Sequence, residues 1–233
     1  MYIGGFQKNS LIDFPATIAC VVFTQGCNFI CPYCHNPNLV TYHTKNDRLY
    51  DENKIFDFLK TRQNLLEGVV ITGGEPTLQK DIIEFCKKIK NIGYKLKLDT
   101  NGTRPNVIEE LINQGLIDFI SMDIKTSLNN YHFVSKGKSH EKSISKSIDL
   151  LMHKSIAYEF RTTCCKPFIN KEIIKEIGKR INKANCYILQ KCSRKIKSLD
   201  QKFLSQDNNF FSDEYMLSLK QIIDKYVTKS IIR

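Results

Sequence analysis

The sequence contains no run of about eighteen or more apolar residues, which excludes a membrane-spanning helix. It also lacks a secretory start, because MYIGGFQKNSLIDFP has no basic segment followed by an apolar stretch. A cytoplasmic protein is the resulting expectation. No internal repeat and no low-complexity segment occurs, so neither a solenoid nor a compositionally biased tail is expected. Acidic residues are the scarcer sign: 24 Asp and Glu face 35 Lys and Arg, a formal charge of +11. The basic residues are scattered over nearly every helix-like segment and form no aromatic-interleaved stripe. A solvated, lysine-rich surface is expected, and nucleic acid is not. An acidic protein partner suits the same charge. The missing export signal also bears on the nine cysteines, which are not expected to form a disulfide framework.

What is present is a strand–helix alternation. With 233 residues and 42% hydrophobic content, the chain suits one α/β domain over 1–233. Its core is expected over about 16–192 and a closing helix over 213–228, after a linker-like segment at 207–212. Apolar, β-branched runs predict strands at 17–24, 68–72, 96–100, 117–124, 157–162 and 186–190. Helical periodicity fills the gaps at 53–65, 78–91, 105–114, 141–154 and 171–182. Short strands buried by helices imply a parallel sheet, either open and doubly wound or curved into a barrel. Polar residues collect at the predicted strand C-termini, the edge that holds active sites in parallel α/β folds. Six strands serving one site favour a partial (βα)6 TIM-like barrel with a parallel, curved sheet.

Three cysteines are clustered. Cys27, Cys31 and Cys34 form a C-x3-C-x2-C run directly after the first predicted strand. Closely spaced thiols on a loop suit an iron–sulfur cluster. A [4Fe–4S] cube needs four ligands and the loop gives three, which leaves one iron for a ligand that is not protein. S-adenosylmethionine can chelate it through amino and carboxylate groups, bringing its sulfonium beside the cluster. Three other readings use the same residues. Cys31-Pro-Tyr-Cys34-His35 matches the haem attachment pattern, which requires export and leaves Cys27 unexplained. A Cys3His zinc site would force adjacent Cys34 and His35 onto one ion. Purely structural cysteines are the third. For Cys20, Cys86, Cys164, Cys165, Cys186 and Cys192, buried structural thiols are expected.

The cysteine run with Tyr33 before its last member resembles the radical S-adenosylmethionine superfamily, as does TGGEP over 72–76. IGGFQKNSLIDFPATIACVVFTQGCNFICPYCHNPNL is similar to anaerobic ribonucleoside-triphosphate reductase activating proteins, which belong with the glycyl-radical-enzyme activases. LDTNG, MDIK and FRTT extend the resemblance to about residue 190. It implies that Cys27, Cys31 and Cys34 hold one [4Fe–4S] cluster. Tyr33 and His35 would help seat the adenine end of S-adenosylmethionine. Gly73 and Gly74 would let the backbone approach the methionyl amino group, with Glu75 and Pro76 fixing that turn. Asp99, Asn101, Asp123 and Lys125 would contact the ribose and carboxylate of the cofactor, or a monovalent cation. Arg161 would lie near the cofactor or the incoming peptide, and Gln190 would hydrogen-bond the cofactor. The formate-lyase activases carry a histidine on this last strand, and this chain does not. The implied partners are a glycyl radical enzyme as protein substrate and flavodoxin or ferredoxin as electron donor. A small-molecule enzyme similar to 7-carboxy-7-deazaguanine synthase and a non-catalytic zinc-binding module are the alternatives.

Overall fold

The computed structural model describes residues 1–42, 49–135, 137–194 and 198–233. The chain divides into two compact units. The first comprises Met1–Asn28, Asn38–Thr100 and Asn106–Ile120, and the second Phe29–Pro37, Asn101–Pro105 and Ser121–Arg233.

In the first unit β1 (Ile3–Ser10) pairs antiparallel with β2 (Ala19–Thr24), and β3 (Gly68–Gly73) and β4 (Lys95–Thr100) follow in parallel. Registers of Val21 with Val70 and of Val70 with Lys97 align these residues in one row across three strands. Phe14, Ala19, Val21 and Val70 form an apolar cluster completed by Phe23 and Phe119. A lysine therefore continues a row that begins in hydrophobic core. Helices α1 (Glu52–Lys60) and α2 (Ile82–Ile92) bury Ile55, Phe56 and Leu59, and Ile82, Phe85, Cys86 and Ile89, with the Phe56 and Phe85 rings 5.2 Å apart. Helix α3 (Pro105–Asn113) leads to β5 (Phe119–Asp123), whose first two residues belong to this unit.

The second unit takes up β5 at Ser121 and adds α4 (Glu141–His153), β6 (Ala157–Cys164), α5 (Lys171–Arg180) and β7 (Tyr187–Lys191). It closes with α6 (Gln201–Ser205), α7 (Asp213–Ile223) and β8 (Ser230–Ile232). Strands β6, β7 and β8 are parallel, with Arg161 opposite Ile188 and Ile188 opposite Ile231. Helix α4 buries Ile144, Ile148 and Leu151, and α5 buries Ile173, Ile174 and Ile177, each set at helical spacing.

The α/β class with a mostly parallel sheet is as expected, and the six predicted strands are β2 to β7. Among the described residues there are eight strands. β1 escaped the pattern because IGGFQKNS carries two glycines and little alternation; β8 is only three residues long. The helix expected over 53–65 ends at Lys60, because the Arg62 carbonyl accepts from both Leu65 and Leu66 and turns the chain. Leu65 is consequently 64% exposed. The helix expected over 78–91 begins at Ile82, since Pro76–Leu78 forms a separate 3-10 turn. The closing helix stops at Ile223 and α6 was not anticipated.

Helix α5 starts at an Asn170 cap whose Oδ1 accepts from Ile173 N at 2.8 Å. Asn170→Ala removes that partner and should cost about 1 kcal/mol. Denaturant unfolding should show a lower midpoint at unchanged slope, and an unchanged midpoint would contradict the cap.

Candidate active site

In the first unit the end of β3 is tied to the segment that leads from β2 to Cys27. Gly74 N donates to Thr24 O at 2.8 Å and Glu75 N to Gly26 O at 2.7 Å. A Cβ on Gly73, where φ is +119°, would lie 2.4 Å from the Thr24 backbone, and one on Gly74 would lie 2.2 Å from Gly26 O. The glycines are thus required by backbone packing within the chain, a reason distinct from the expected approach to a ligand. Gly26 N and Cys27 N donate in turn to Leu39 O and Val40 O, at 2.8 and 3.0 Å. Glu75 is 1% exposed and points inward. Its Oε1 accepts from Thr77 N at 3.0 Å, from Thr100 Oγ1 at 2.8 Å and from Thr77 Oγ1. This carboxylate caps the Pro76 turn and joins the ends of β3 and β4. Asp99, one position before Thr100, forms an ion pair with Lys97, which is buried. Lys97 was not singled out from the sequence. Its signal was the alternation in KLKLD, which places Lys97 and Asp99 on one face of β4.

In the second unit Asp123 at the end of β5 is the centre of the charge arrangement. Its Oδ1 accepts from Arg161 Nε and its Oδ2 from Lys125 Nζ, both at 2.8 Å. Burial alone would raise Asp123, but Arg161 and Lys125 outweigh it and hold the carboxyl well below the usual range. Burial likewise opposes the charge on Lys125, and Asp123 more than compensates, raising the ammonium above its ordinary value. One carboxylate thus serves two cations. Lys125 also faces the Cys31 and Cys34 thiols, and its N donates to the Tyr131 hydroxyl at 3.1 Å.

Burial pushes the Cys31 thiol up to about 11, against the pull of Lys125, and raises Cys34 as well. Bare thiols at these positions hold their protons at neutral pH, so they become thiolates when a cation joins them. Cys34 N donates to Cys31 O at 3.0 Å, which fixes the tight turn between them. The Tyr33 ring is buried, 5.2 Å from Phe168 and 6.2 Å from Phe203. Its hydroxyl has no nitrogen or oxygen partner among the described residues and lies beside the Cys31 sulfur. His35 is exposed and hydrogen-bonds Cys192. Asn101 Oδ1 accepts from Thr103 N at 3.0 Å and Thr103 Oγ1 at 2.7 Å, holding the turn after β4. Gln190 is half-buried on β7, opposite Thr163.

Among the described residues no three His, Cys, Asp or Glu side chains are gathered as a single metal ion requires. Thiol donors on a short loop, an adjacent ammonium and a buried phenol lacking an oxygen or nitrogen partner fit a sulfur-rich, anionic group. The family model described as "Radical SAM superfamily" matches residues 21–181. The chain belongs to the radical SAM superfamily. It is 34% identical over 240 residues to a Methanocaldococcus jannaschii protein named "putative glycyl-radical enzyme activating enzyme", covering 99% of this chain and 95% of that one. A crystallised domain of pyruvate-formate lyase-activating enzyme from Bacteroides vulgatus superposes with a TM-score of 0.56 at 18% identity, over 72% of this chain and 99% of that one. Streptococcus suis SuiB bound to S-adenosylmethionine gives 0.64 at 15% identity, over 91% of this chain and 49% of SuiB. These likenesses show the radical SAM fold, and radical SAM membership implies a [4Fe–4S] cluster and S-adenosylmethionine. No helix among the described residues is long and apolar enough to cross a membrane.

Two outcomes test this geometry. Gly74→Ala must displace the Gly26 carbonyl and should cost about 1–3 kcal/mol, read as a lower unfolding midpoint; full stability would contradict the packing. Asp123 has a folded value below its unfolded one. Its contribution is complete above the usual carboxylate range and is lost as pH falls through that range toward the folded value. In the cluster-free chain, Asp123→Asn should therefore flatten the loss of stability between about pH 5 and pH 2. A loss as steep as in the parent would contradict it.

Proposed function

We propose that this chain cleaves S-adenosylmethionine reductively and uses the product radical to generate a glycyl radical on a partner enzyme. The observation that carries this reading is the likeness, over 99% of the chain, to a protein whose name gives that activity. Cys27, Cys31 and Cys34 would hold a [4Fe–4S] cluster, which would supply the electron for reductive cleavage of S-adenosylmethionine to the 5′-deoxyadenosyl radical that takes a glycine Cα hydrogen.

The chain's own residues bind and orient. Lys125 offsets the charge of the cysteine thiolates while Asp123 and Arg161 keep it in place. Asp99 and Asn101 supply acceptors at the end of β4 for cofactor hydroxyls, and Gln190 adds an amide on β7. The strand-end turn Gly73-Gly74-Glu75-Pro76 offers backbone groups whose positions are fixed by the Glu75 bonds. His35 is the exposed ring of the loop. Tyr33 is spent in the apolar packing, so only its backbone is available for the adenine. A monovalent cation would have to share Asp99 with Lys97 and Asp123 with Lys125 and Arg161. The lead IGGFQKNSLIDFP and the continuation HNPNL support anaerobic ribonucleoside-triphosphate reductase as the partner. Flavodoxin or ferredoxin is the electron donor that this chemistry suits, in the cytoplasm.

The test is anaerobic incubation of the reduced, reconstituted chain with S-adenosylmethionine and candidate glycyl radical enzymes. The expected outcome is 5′-deoxyadenosine together with a glycyl radical signal on the partner, both lost in Cys31→Ala. Continued cofactor cleavage by that variant would overturn the reading. Cleavage with turnover of a small molecule, and no radical on any partner, would favour the small-molecule alternative. Lys125→Met should lower cofactor cleavage by about 10- to 100-fold, and unchanged cleavage would remove Lys125 from the site.

A further inference from the structure

Six cysteines lie outside the loop. Cys20 and Cys86 are buried singly, and burial pushes each thiol up to about 12. Cys165 and Cys192 are placed differently. β6 and β7 run parallel and end together with Cys164 opposite Lys191, and each strand is followed directly by a cysteine. Neighbouring parallel strands lie about 4.8 Å apart, inside the roughly 4.4–6.8 Å window between Cα atoms that a disulfide spans. The two thiols are in hydrogen-bonding contact, and Cys192 also bonds the side chain of His35, which follows Cys34 directly. Both cysteines are buried and unlinked.

We propose that Cys165 and Cys192 are an oxidisable dithiol that hydrogen peroxide converts to a disulfide beside the cysteine loop. The Cys192 sulfur attacks one peroxide oxygen and the O–O bond breaks. Hydroxide leaves, takes up the Cys192 proton as water, and a sulfenic acid remains on Cys192. The Cys165 sulfur then attacks the Cys192 sulfur. The S–S bond forms, the S–O bond breaks, and the hydroxyl departs with the Cys165 proton as a second water. Two thiols are oxidised by two electrons and one peroxide is reduced to two waters. The order of attack follows from the surroundings. Cys192 keeps 6% exposure while Cys165 keeps none. The disulfide would link the ends of β6 and β7 and take the thiol partner from His35. The pair needs neither S-adenosylmethionine nor a partner enzyme, so its failure and that of the proposed reaction are separate results.

The experiment treats the anaerobically prepared, cluster-loaded chain with one equivalent of hydrogen peroxide, blocks remaining thiols by alkylation and maps peptides by mass spectrometry. The expected product is a peptide pair linked through Cys165 and Cys192, lighter than the two thiol peptides by two hydrogens, with Cys20 and Cys86 unlinked. Cys164→Ser should keep the link, and Cys165→Ser and Cys192→Ser should each lose it. Retention of a link in Cys165→Ser would assign the partner to Cys164 and overturn the proposal. Alkylated Cys165 and Cys192 alongside oxidised Cys27, Cys31 or Cys34 would overturn it too.

Discussion

A single half-buried carboxylate holding two cations is the constraint on which the second unit's site depends. Asp123 accepts from Arg161 on β6 and from Lys125 just beyond β5. Taking a charge even partly out of water is unfavourable, so an ion placed here is stabilised by having its partners in place. The three half-buried charges therefore support one another. Lys125 directs its charge at Cys31 and Cys34, whose burial otherwise keeps them protonated. An ammonium held in this place suits thiolates and an anionic ligand group.

A similar economy operates in the first unit with backbone in place of charge. Gly73 and Gly74 let the end of β3 lie against the segment from Thr24 to Gly26, and Glu75 converts the following turn into a fixed corner by accepting from Thr77 and Thr100. Cys27 follows this segment immediately. Its position is thus set by strand-end hydrogen bonds, none of which involves a ligand. Both units share this logic: the polar strand-end residues satisfy one another.

The sequence made the cysteine run, the six parallel strands and the strand-end polar residues legible, because each has a local signature: thiol spacing, β-branched runs, and polar groups that follow them. What it hid was set by pairing across the chain. β1 and β8 are defined by their neighbours β2 and β7 and carry weak patterns of their own. Tyr33 is expected to help seat the adenine through backbone or ring, and the aromatic contacts with Phe168 and Phe203 that bury its ring come from remote segments. The reason for the glycines changed likewise, since only coordinates show which backbone a Cβ would strike. Lys97 was written in the alternation of KLKLD and was passed over as one more surface lysine. Cys165 and Cys192 become a pair only through the β6–β7 register.

Metal and sulfide analysis of the anaerobically reconstituted chain tests the central claim most directly. A cluster on Cys27, Cys31 and Cys34 predicts about four iron and about four acid-labile sulfide per chain, lost on substitution of these cysteines. One zinc per chain with no sulfide would contradict it and return the loop to a zinc-binding module.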